Sequence, residues 1–367
     1  MAPLVRKLQE HEDHFTSKVC VTAQHREILD QILDTFDIKP DFDLNIMKAN
    51  QDLYDITTDV ISGMKSVLNR FKPDILLVHG DTTTSFAAAL SAFYEKITVG
   101  HIEAGLRTHN RYSPFPEEMN RQLTSRIARY HFAPTETNKQ NLMKERIPGE
   151  NIAVTGNTGI DALLFMKECL DNSKSAEKEL CEAFRKLGYP ISDRKLILVT
   201  GHRRENFGRG FVEICNALKQ IALNHPDVDI VYPVHLNPNV QKPVTDRLSS
   251  INNIFLLAPL PYKPFVFLMN HSHLILTDSG GIQEEAPALN KPTLVMRNTT
   301  ERIEAIEAGT VRLTGTNTEK IIDETERLLN STADYHKMAS AVNPYGDGNA
   351  AARIVEFLKL PNPDKRD

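Results

Sequence analysis

Short, continuously apolar runs recur along this chain, and each is followed by polar residues and a stretch with helical spacing. The runs do not alternate apolar with polar residues, so both faces of each strand are expected to be covered. Such strands, separated by helices, predict parallel sheets built from strand–helix–strand units. The predicted strands are 19–22, 75–79, 97–101, 152–155, 196–200, 230–234, 274–277 and 293–296.

The length of 367 residues exceeds what one ordinary hydrophobic core serves, and therefore predicts two domains. A charged helical stretch at 174–185, followed by Gly188-Tyr189-Pro190, separates two series of strands and places the boundary near 160 to 190. We predict an α/β fold of two Rossmann-like domains, the N-terminal one over 1–165 and the C-terminal one over 166–347. A helical segment over 348–367 follows, and packing back on the N-terminal domain is one option for it.

Charge and cysteine usage narrow the class of protein. Lys and Arg number 43 and Asp and Glu 48, for a net charge of −5, which argues against nucleic-acid binding but not against a small anionic ligand. The cysteines form no CxxC pair, which predicts a reducing cytoplasm. No apolar run reaches the roughly 18 residues of a membrane span, and the N-terminus lacks a signal-peptide pattern. We therefore expect a soluble cytoplasmic protein without nucleic-acid or membrane partners.

Carboxylates follow the predicted strands of the first half. Asp81 comes just after strand 75–79, Glu103 just after strand 97–101, and Glu117 opens a helix. Ligands of open α/β sheets bind beyond the carboxyl ends of strands, so these acids are candidates for acid–base chemistry. Each also has a structural interpretation: Asp81 as a helix cap, Glu103 as an ion-pair partner of Arg107, and Glu117 as a helix-dipole partner.

The second half carries candidate anion-binding residues. His202-Arg203-Arg204 follows strand 196–200, and three such side chains would repel one another without an anion. Ser279-Gly280-Gly281 offers backbone N–H groups at a helix start, although a plain turn is the alternative. Together with Glu285 and Arg302, these residues predict a site for a phosphorylated or nucleotide-linked substrate in the cleft between the domains.

Other cofactor and metal sites lack sequence support. No GxGxxG follows a strand, and neither a GxxxxGK[ST] loop nor a GxSxG elbow is present. The histidines lack the spacing of a metal site. We therefore predict no cofactor and no metal. The histidines considered are His25, His235, His271 and His273.

Several long motifs, in one order along nearly the whole chain, resemble the non-hydrolysing UDP-N-acetylglucosamine 2-epimerases. They comprise HGDTTT at 79–84, GHIEAGLR at 100–107, PEEMNR at 116–121, GHRREN at 201–206, TDSGGIQEEAP at 277–287, TTER at 299–302 and NPYGDG at 343–348. The resemblance implies a GT-B-like (glycosyltransferase-B-like) pair of Rossmann-type domains with the active site in the interdomain cleft, and a homodimer. It also implies an isomerase that interconverts UDP-GlcNAc and UDP-ManNAc without metal or nicotinamide, supplying ManNAc for cell-surface polysaccharide. The implied route eliminates UDP to give 2-acetamidoglucal and then adds UDP back.

The same resemblance implies roles for individual residues. The catalytic residues would be Asp81, Glu103, Glu117 and His202, with Asp81 and Glu117 as the acid/base pair and His202 against the diphosphate. The substrate-binding residues would be Ser279, Gly280, Gly281 and Arg302 at the diphosphate, Glu285 at the ribose and Phe265 at the uracil. In several bacterial members a second UDP-GlcNAc acts as an allosteric activator, and the residues at matching positions are Gln24, Arg203 and His235.

The N-terminus departs from the family pattern. Members normally begin with a strand and the loop Gly-Thr-Arg-Pro-Glu-Ala-Ile-Lys, whereas this chain opens in a helical stretch at 3–9, so we expect the first strand and loop to be absent. A catalytically weak UDP-sugar-binding protein is therefore the alternative function. A hydrolysing relative that releases free ManNAc is a third.

Overall fold

The fold was analysed in a computed structural model that describes residues 1–24, 26–48 and 50–360. His25 and the end of the predicted C-terminal segment, 361–367, lie outside the described residues. The chain forms two compact units. Unit 1 comprises Met1–Ala162 and the chain from Tyr345 onwards, and unit 2 comprises Leu163–Pro344.

Helices and strands alternate along most of the chain. The strands are β1 Cys20–Val21, β2 Phe42–Asp43, β3 Ile75–His79, β4 Thr98–Ile102, β5 Tyr130–Ala133, β6 Ile152–Val154, β7 Lys195–Thr200, β8 Val228–Pro233, β9 Ile254–Leu257, β10 Leu274–Thr277, β11 Thr293–Val295 and β12 Val311–Leu313. The helices are α1 Ala2–Gln9, α2 Arg26–Phe36, α3 Leu53–Arg70, α4 Thr83–Tyr94, α5 Glu117–Ile127, α6 Glu136–Lys144, α7 Thr158–Asp171, α8 Lys174–Lys186, α9 Arg209–Asn224, α10 Pro238–Leu248, α11 Tyr262–His271, α12 Gly280–Ala288, α13 Ile303–Glu307, α14 Thr318–Asn330, α15 Thr332–Ala339 and α16 Ala350–Lys359. None of these helices is long and apolar enough to cross a membrane.

Unit 1 holds a four-stranded sheet in the order β3-β4-β5-β6, and its strands are all parallel. The short strands β1 and β2 pair with each other, also in parallel. One face of the larger sheet packs against α3 and α4, with Val60 and Met64 beside Val78 in a common apolar cluster. A second cluster joins Leu4 of α1 and Ile354 of α16.

Unit 2 holds a six-stranded parallel sheet in the order β12-β11-β10-β7-β8-β9. β10 and residues 196–199 of β7, at the centre of this sheet, are buried, as their unbroken apolar runs predict. The prediction of an α/β fold with parallel sheets is confirmed. Strand order reverses between β7 and β10, and a crevice opens beyond the carboxyl ends of strands at such a reversal. The loops that follow these two strands carry His202 and Ser279.

Candidate functional site

Asp81 follows β3 in unit 1 and is held by an arginine. Arg121 donates to Asp81 Oδ2 from Nε at 2.9 Å and from Nη2 at 2.6 Å. The cap of α4 is instead Thr82, whose side chain accepts a hydrogen bond from the Ser85 N–H. The helix-cap interpretation of Asp81 is therefore wrong, because the carboxylate faces α5.

Glu103 follows β4 in a backbone conformation that few non-glycine residues adopt, with φ at +63°. Its Oε2 lies 3.9 Å from His79 Nδ1. The same oxygen would lie 2.9 Å from a Cβ atom at position 80, so Gly80, itself at φ +70°, leaves room for the carboxylate. Arg107 donates to Glu145 at 2.7 and 3.0 Å, so the interpretation of Glu103 as an ion-pair partner of Arg107, one of the two left open, is wrong.

Helix α5 begins with two carboxylates in different surroundings. Glu117 is half-buried, and its Oε2 is a buried atom that accepts no hydrogen bond from the part of the chain that the structure describes. Glu118 is fully buried and accepts from the N–H groups of Thr108 and His109 and from the Gln122 side chain. Burial acts to raise the pKa of Glu118, but these hydrogen bonds outweigh it and the pKa is lowered. Glu118 is therefore a structural carboxylate, whereas Glu117 has one oxygen that accepts no hydrogen bond from the described residues.

Two buried histidines lie on the adjacent strands β4 and β5 of unit 1. His101 and His131 are paired residues of β4 and β5, and both side chains are essentially inaccessible to water. Burial lowers the pKa of His101 to about 4 and that of His131 to about 3, so both are neutral at pH 7. His101 Nε2 lies 2.8 Å from the Gly80 carbonyl oxygen, which ties β4 to the loop that carries Asp81.

The loop after β7 in unit 2 is organised by a carboxylate that the sequence analysis missed. Asp278, fully buried at the end of β10, accepts from the backbone N–H groups of His202 and Arg203 at 2.9 to 3.0 Å and from the Asn206 amide at 3.1 Å. Burial lowers the pKa of His202, opposed by the charge of Asp278 and reinforced by Arg203 and His235. The Asp278 carboxylate therefore supplies part of the negative charge that His202-Arg203-Arg204 requires.

The start of α12 forms a cradle suited to an anion. Ser279 is the N-cap residue, and its side chain makes no capping hydrogen bond. A Cβ atom at Gly280 would lie 3.0 Å from Glu301 Oε1, 3.4 Å from Arg302 Cζ and 3.5 Å from Arg203 Nη2, so two guanidinium groups and one carboxylate approach this helix start. Arg203 Nε is buried without an acceptor among the described residues. A helix N-terminus together with two cations suits a diphosphate.

Acidic partners surround the second of these cations. Arg302 donates from Nε to Glu284 at 2.8 Å and from Nη1 to Glu301 at 2.9 Å. Glu301 also accepts from Arg297, which binds Glu205 as well. Arg302 is therefore held in place by carboxylates that the sequence motifs contain but whose role the sequence analysis did not assign.

The predicted nucleoside contacts lie on α11 and α12. Burial, and then the charge of Glu284, raises the pKa of Glu285 to about 7. The charge of Glu285 contributes to the raised pKa of Tyr262 at the start of α11, which places that carboxylate near this helix. Phe265, one turn further along α11, is half-buried against the apolar cluster of unit 2.

The residues at the activator positions are divided between the units. In unit 2, the ring of His235 stacks beside that of His202 with 5.7 Å between the centroids, and Arg203 lies in the same loop as His202. In unit 1, Gln24 accepts a hydrogen bond from the Thr84 hydroxyl at 3.0 Å. Among the described residues, no group of three or more His, Cys, Asp or Glu side chains could hold a metal ion.

Comparisons with known proteins identify the family of this chain. The family model for UDP-N-acetylglucosamine 2-epimerase matches residues 6–359. The chain belongs to this family. A UDP-N-acetylglucosamine 2-epimerase of Yersinia pestis is 57% identical over 359 residues, with 98% of this chain and 94% of the relative covered. That of Escherichia coli K12 is 57% identical over 361 residues, with the same coverage.

Solved structures of family members share the fold. The UDP-GlcNAc 2-epimerase of Neisseria meningitidis, bound to UDP-GlcNAc, matches with a TM-score of 0.89 and 56% identity, covering 98% of this chain and 95% of that one. The enzyme of Methanocaldococcus jannaschii, in complex with UDP-GlcNAc and UDP, matches with a TM-score of 0.78 and 33% identity, covering 98% and 96%. The GT-B-like fold class predicted from the sequence motifs is confirmed.

Proposed function

We propose that this chain interconverts UDP-GlcNAc and UDP-ManNAc by eliminating UDP to give 2-acetamidoglucal and adding UDP back to the other face. The observation that carries the proposal is the family match over residues 6–359, in which the carboxylates of unit 1 and the anion cradle of unit 2 both lie. We also assign the chain to the cytoplasm and to a homodimer.

Epimerisation at carbon 2 requires removal of a proton that is not acidic, and elimination solves this by expelling UDP as the proton leaves. One group must take the proton and another must return it to the opposite face. In this proposal Asp81 and Glu117 are that acid/base pair and Glu103 completes the acidic group. The free Oε2 of Glu117 and its position at the start of α5 support the assignment.

The leaving group requires charge stabilisation on the diphosphate, where negative charge develops. Ser279, Gly280 and Gly281 would donate backbone and hydroxyl hydrogen bonds, Arg302 would add positive charge, and His202 would assist the departure and return of UDP. The convergence of Arg203 and Arg302 on the start of α12 supports this role.

We assign residues to the nucleoside of the substrate and to a second nucleotide sugar as well. Glu285 would accept from the ribose hydroxyls and Phe265 would lie by the uracil. Gln24, Arg203 and His235 would bind an activating UDP-GlcNAc. The close stacking of the His202 and His235 rings supports a link between the activator position and the diphosphate.

The family similarity favours an epimerase over the alternative of a catalytically weak UDP-sugar-binding protein, because relatives with 57% identity over 98% of this chain are epimerases. A hydrolysing enzyme is the second alternative. It would release free ManNAc and UDP, whereas an epimerase yields UDP-ManNAc.

Proton NMR in deuterated water with UDP-GlcNAc tests the proposal, because carbon 2 acquires deuterium only if its proton is removed. The expected result is deuterated UDP-GlcNAc together with UDP-ManNAc. Free ManNAc and UDP would instead identify the hydrolysing chemistry. UDP-GlcNAc that binds without exchanging deuterium would contradict catalysis and leave a binding protein.

A further inference from the structure

Arg121 is a buried cation that binds Asp81, one of the proposed acids. Its side chain is 9% exposed and donates two hydrogen bonds to one oxygen of Asp81, Oδ2. Among the described residues, the other oxygen, Oδ1, accepts no hydrogen bond from the protein. Two donors of a planar guanidinium fix the position of Oδ2 and leave Oδ1 for other chemistry.

A buried carboxylate holds the Arg121 guanidinium on the side away from Asp81 Oδ2, through its third nitrogen. Arg121 Nη1 donates to Glu118 Oε2 at 3.2 Å, and the Glu118 side chain is 0% exposed. Glu118 is anchored in turn by backbone N–H groups of Thr108 and His109. Asn120, beside Arg121 on α5, donates to the Asp81 carbonyl oxygen at 2.9 Å. The orientation of Asp81 is therefore set by buried groups of α5 and the loop before it.

We infer that Arg121 is a positioning residue of the reaction, which acts through Asp81 and keeps Oδ1 available to the substrate. Helix α5 then carries one proposed proton-transfer group, Glu117, at its first residue and holds the other, Asp81, four residues later. Both acids are thus connected to the same helix, Glu117 through its backbone and Asp81 through Arg121. This inference rests on the proposed function, because it assigns Asp81 a role in proton transfer.

Substitutions of Arg121 separate this role from a purely structural one. In Arg121→Gln, Asp81 loses both hydrogen bonds, and we expect kcat to fall about 100-fold while KM for UDP-GlcNAc stays within about twofold. Arg121→Lys keeps the charge but cannot present two coplanar donors, so its kcat should fall about tenfold. The hydrogen isotope effect on kcat, measured with substrate deuterated at carbon 2, should increase in both variants because proton transfer becomes slower.

Arg107→Gln is the matched control. Arg107 is a buried arginine of the same unit that donates two hydrogen bonds to one carboxylate, Glu145. Its substitution should lower the melting temperature without changing kcat or the isotope effect. Active enzyme is counted in every sample by titration with UDP, whose proposed site lies in unit 2, so partial unfolding is not mistaken for a catalytic effect.

Two results would overturn the inference. If kcat and the isotope effect of Arg121→Gln match those of Arg107→Gln, Arg121 is only structural. If KM rises and kcat does not change, Arg121 serves binding instead of positioning. The wild-type deuterium exchange is measured first: its absence contradicts the proposed function and this inference together, whereas normal wild-type exchange with an unchanged Arg121→Gln contradicts this inference alone.

Discussion

Glu103 illustrates how a single residue is held in an uncommon conformation at the proposed site. Its φ of +63° is costly for a residue with a side chain, by about 1 kcal/mol or more. The conformation brings its carboxylate to the position where a side chain at residue 80 would lie. Gly80 and Glu103 therefore depend on each other, and Gly80→Ala should displace the carboxylate.

The titration of Glu285 leads to a prediction on ligand affinity. Its pKa of about 7, raised by burial and by Glu284, means that the carboxylate is about half protonated at pH 7. A carboxylate that accepts from ribose hydroxyls binds best when ionised, so affinity for UDP-GlcNAc should increase about tenfold from pH 6 to pH 8. Calorimetry over this range measures the effect, and UDP-GlcNAc is preferred to UDP because its diphosphate does not titrate there.

Glu285→Gln is the variant that checks the source of this pH dependence, since the amide does not titrate. Its affinity for UDP-GlcNAc should be nearly independent of pH between 6 and 8. The same pH dependence in Glu285→Gln as in the wild type would exclude Glu285 as its origin.

Asp278 carries a second prediction at this scale. Its carboxylate accepts hydrogen bonds from the N–H groups of His202 and Arg203. In an asparagine, the NH2 group would replace one of the accepting oxygens and would face these donors. Asp278→Asn should therefore weaken UDP binding by about 1 to 3 kcal/mol. Asp229→Asn is the control, because Asp229 of β8 is also buried in unit 2 but pairs with Arg194, which lies just before β7. Calorimetric affinities that are equal for the two variants would rule out the anchoring role of Asp278.

Among the elements, α16 depends on a cap from a distant part of the chain. Its own N-cap residue, Asn349, makes no side-chain capping hydrogen bond. Instead, Asp161 of α7 accepts from the N–H groups of Ala350 and Ala351 at 3.2 and 2.8 Å. These N–H groups would otherwise be buried without a partner, so the start of α16 is tied to α7.

Removing this cap should destabilise unit 1. Asp161→Ala leaves buried donors unpaired and should lower the free energy of unfolding by about 1 to 2 kcal/mol. Asn349→Ala, one residue before the helix, should change it by no more than about 0.5 kcal/mol. Urea unfolding of the two variants gives the comparison, and equal losses would show that α16 does not depend on Asp161.

At the scale of the whole molecule, the buried histidines make stability depend on pH. His101 and His131 have pKa values of about 4 and 3 in the folded state, against 6.5 as the ordinary value. Between these values the unfolded chain binds protons that the folded chain does not. Stability should therefore fall as the pH decreases below 6.5, by about 1.4 kcal/mol per pH unit for each histidine.

Urea unfolding between pH 5.5 and 4.5, where the unfolded histidines are almost fully protonated, measures this slope. His131→Gln should reduce the slope by about 1.4 kcal/mol per pH unit, whatever its effect at pH 7. His336→Gln, at an exposed position of α15, should leave the slope unchanged. An unaltered slope in His131→Gln would mean that this histidine is already protonated in the folded state.

The amino-acid sequence by itself determined the fold class and most of the central strands, because strands buried on both faces are written as unbroken apolar runs. Strands 75–79 and 274–277 have the predicted bounds in the structure. Four strands were missed, namely β2, β5, β9 and β12. β2 has only two residues, and the apolar run of β9 was overlooked. His131 and Arg312 interrupt the short apolar runs of β5 and β12. Such residues are accommodated by neighbours that are distant in sequence, and local patterns do not contain that information.

The family, too, was determined by the sequence, through long motifs in a fixed order. Only the tertiary structure decided which charged groups meet: Asp81 with Arg121, Arg107 with Glu145, and the 202–203 backbone with Asp278. Partners that are about 40 or more residues apart, as in each of these contacts, are brought together by the packing of strands and helices. Ion pairs act over a few ångströms, so the chemistry of each carboxylate depends on the fold rather than on its sequence neighbours.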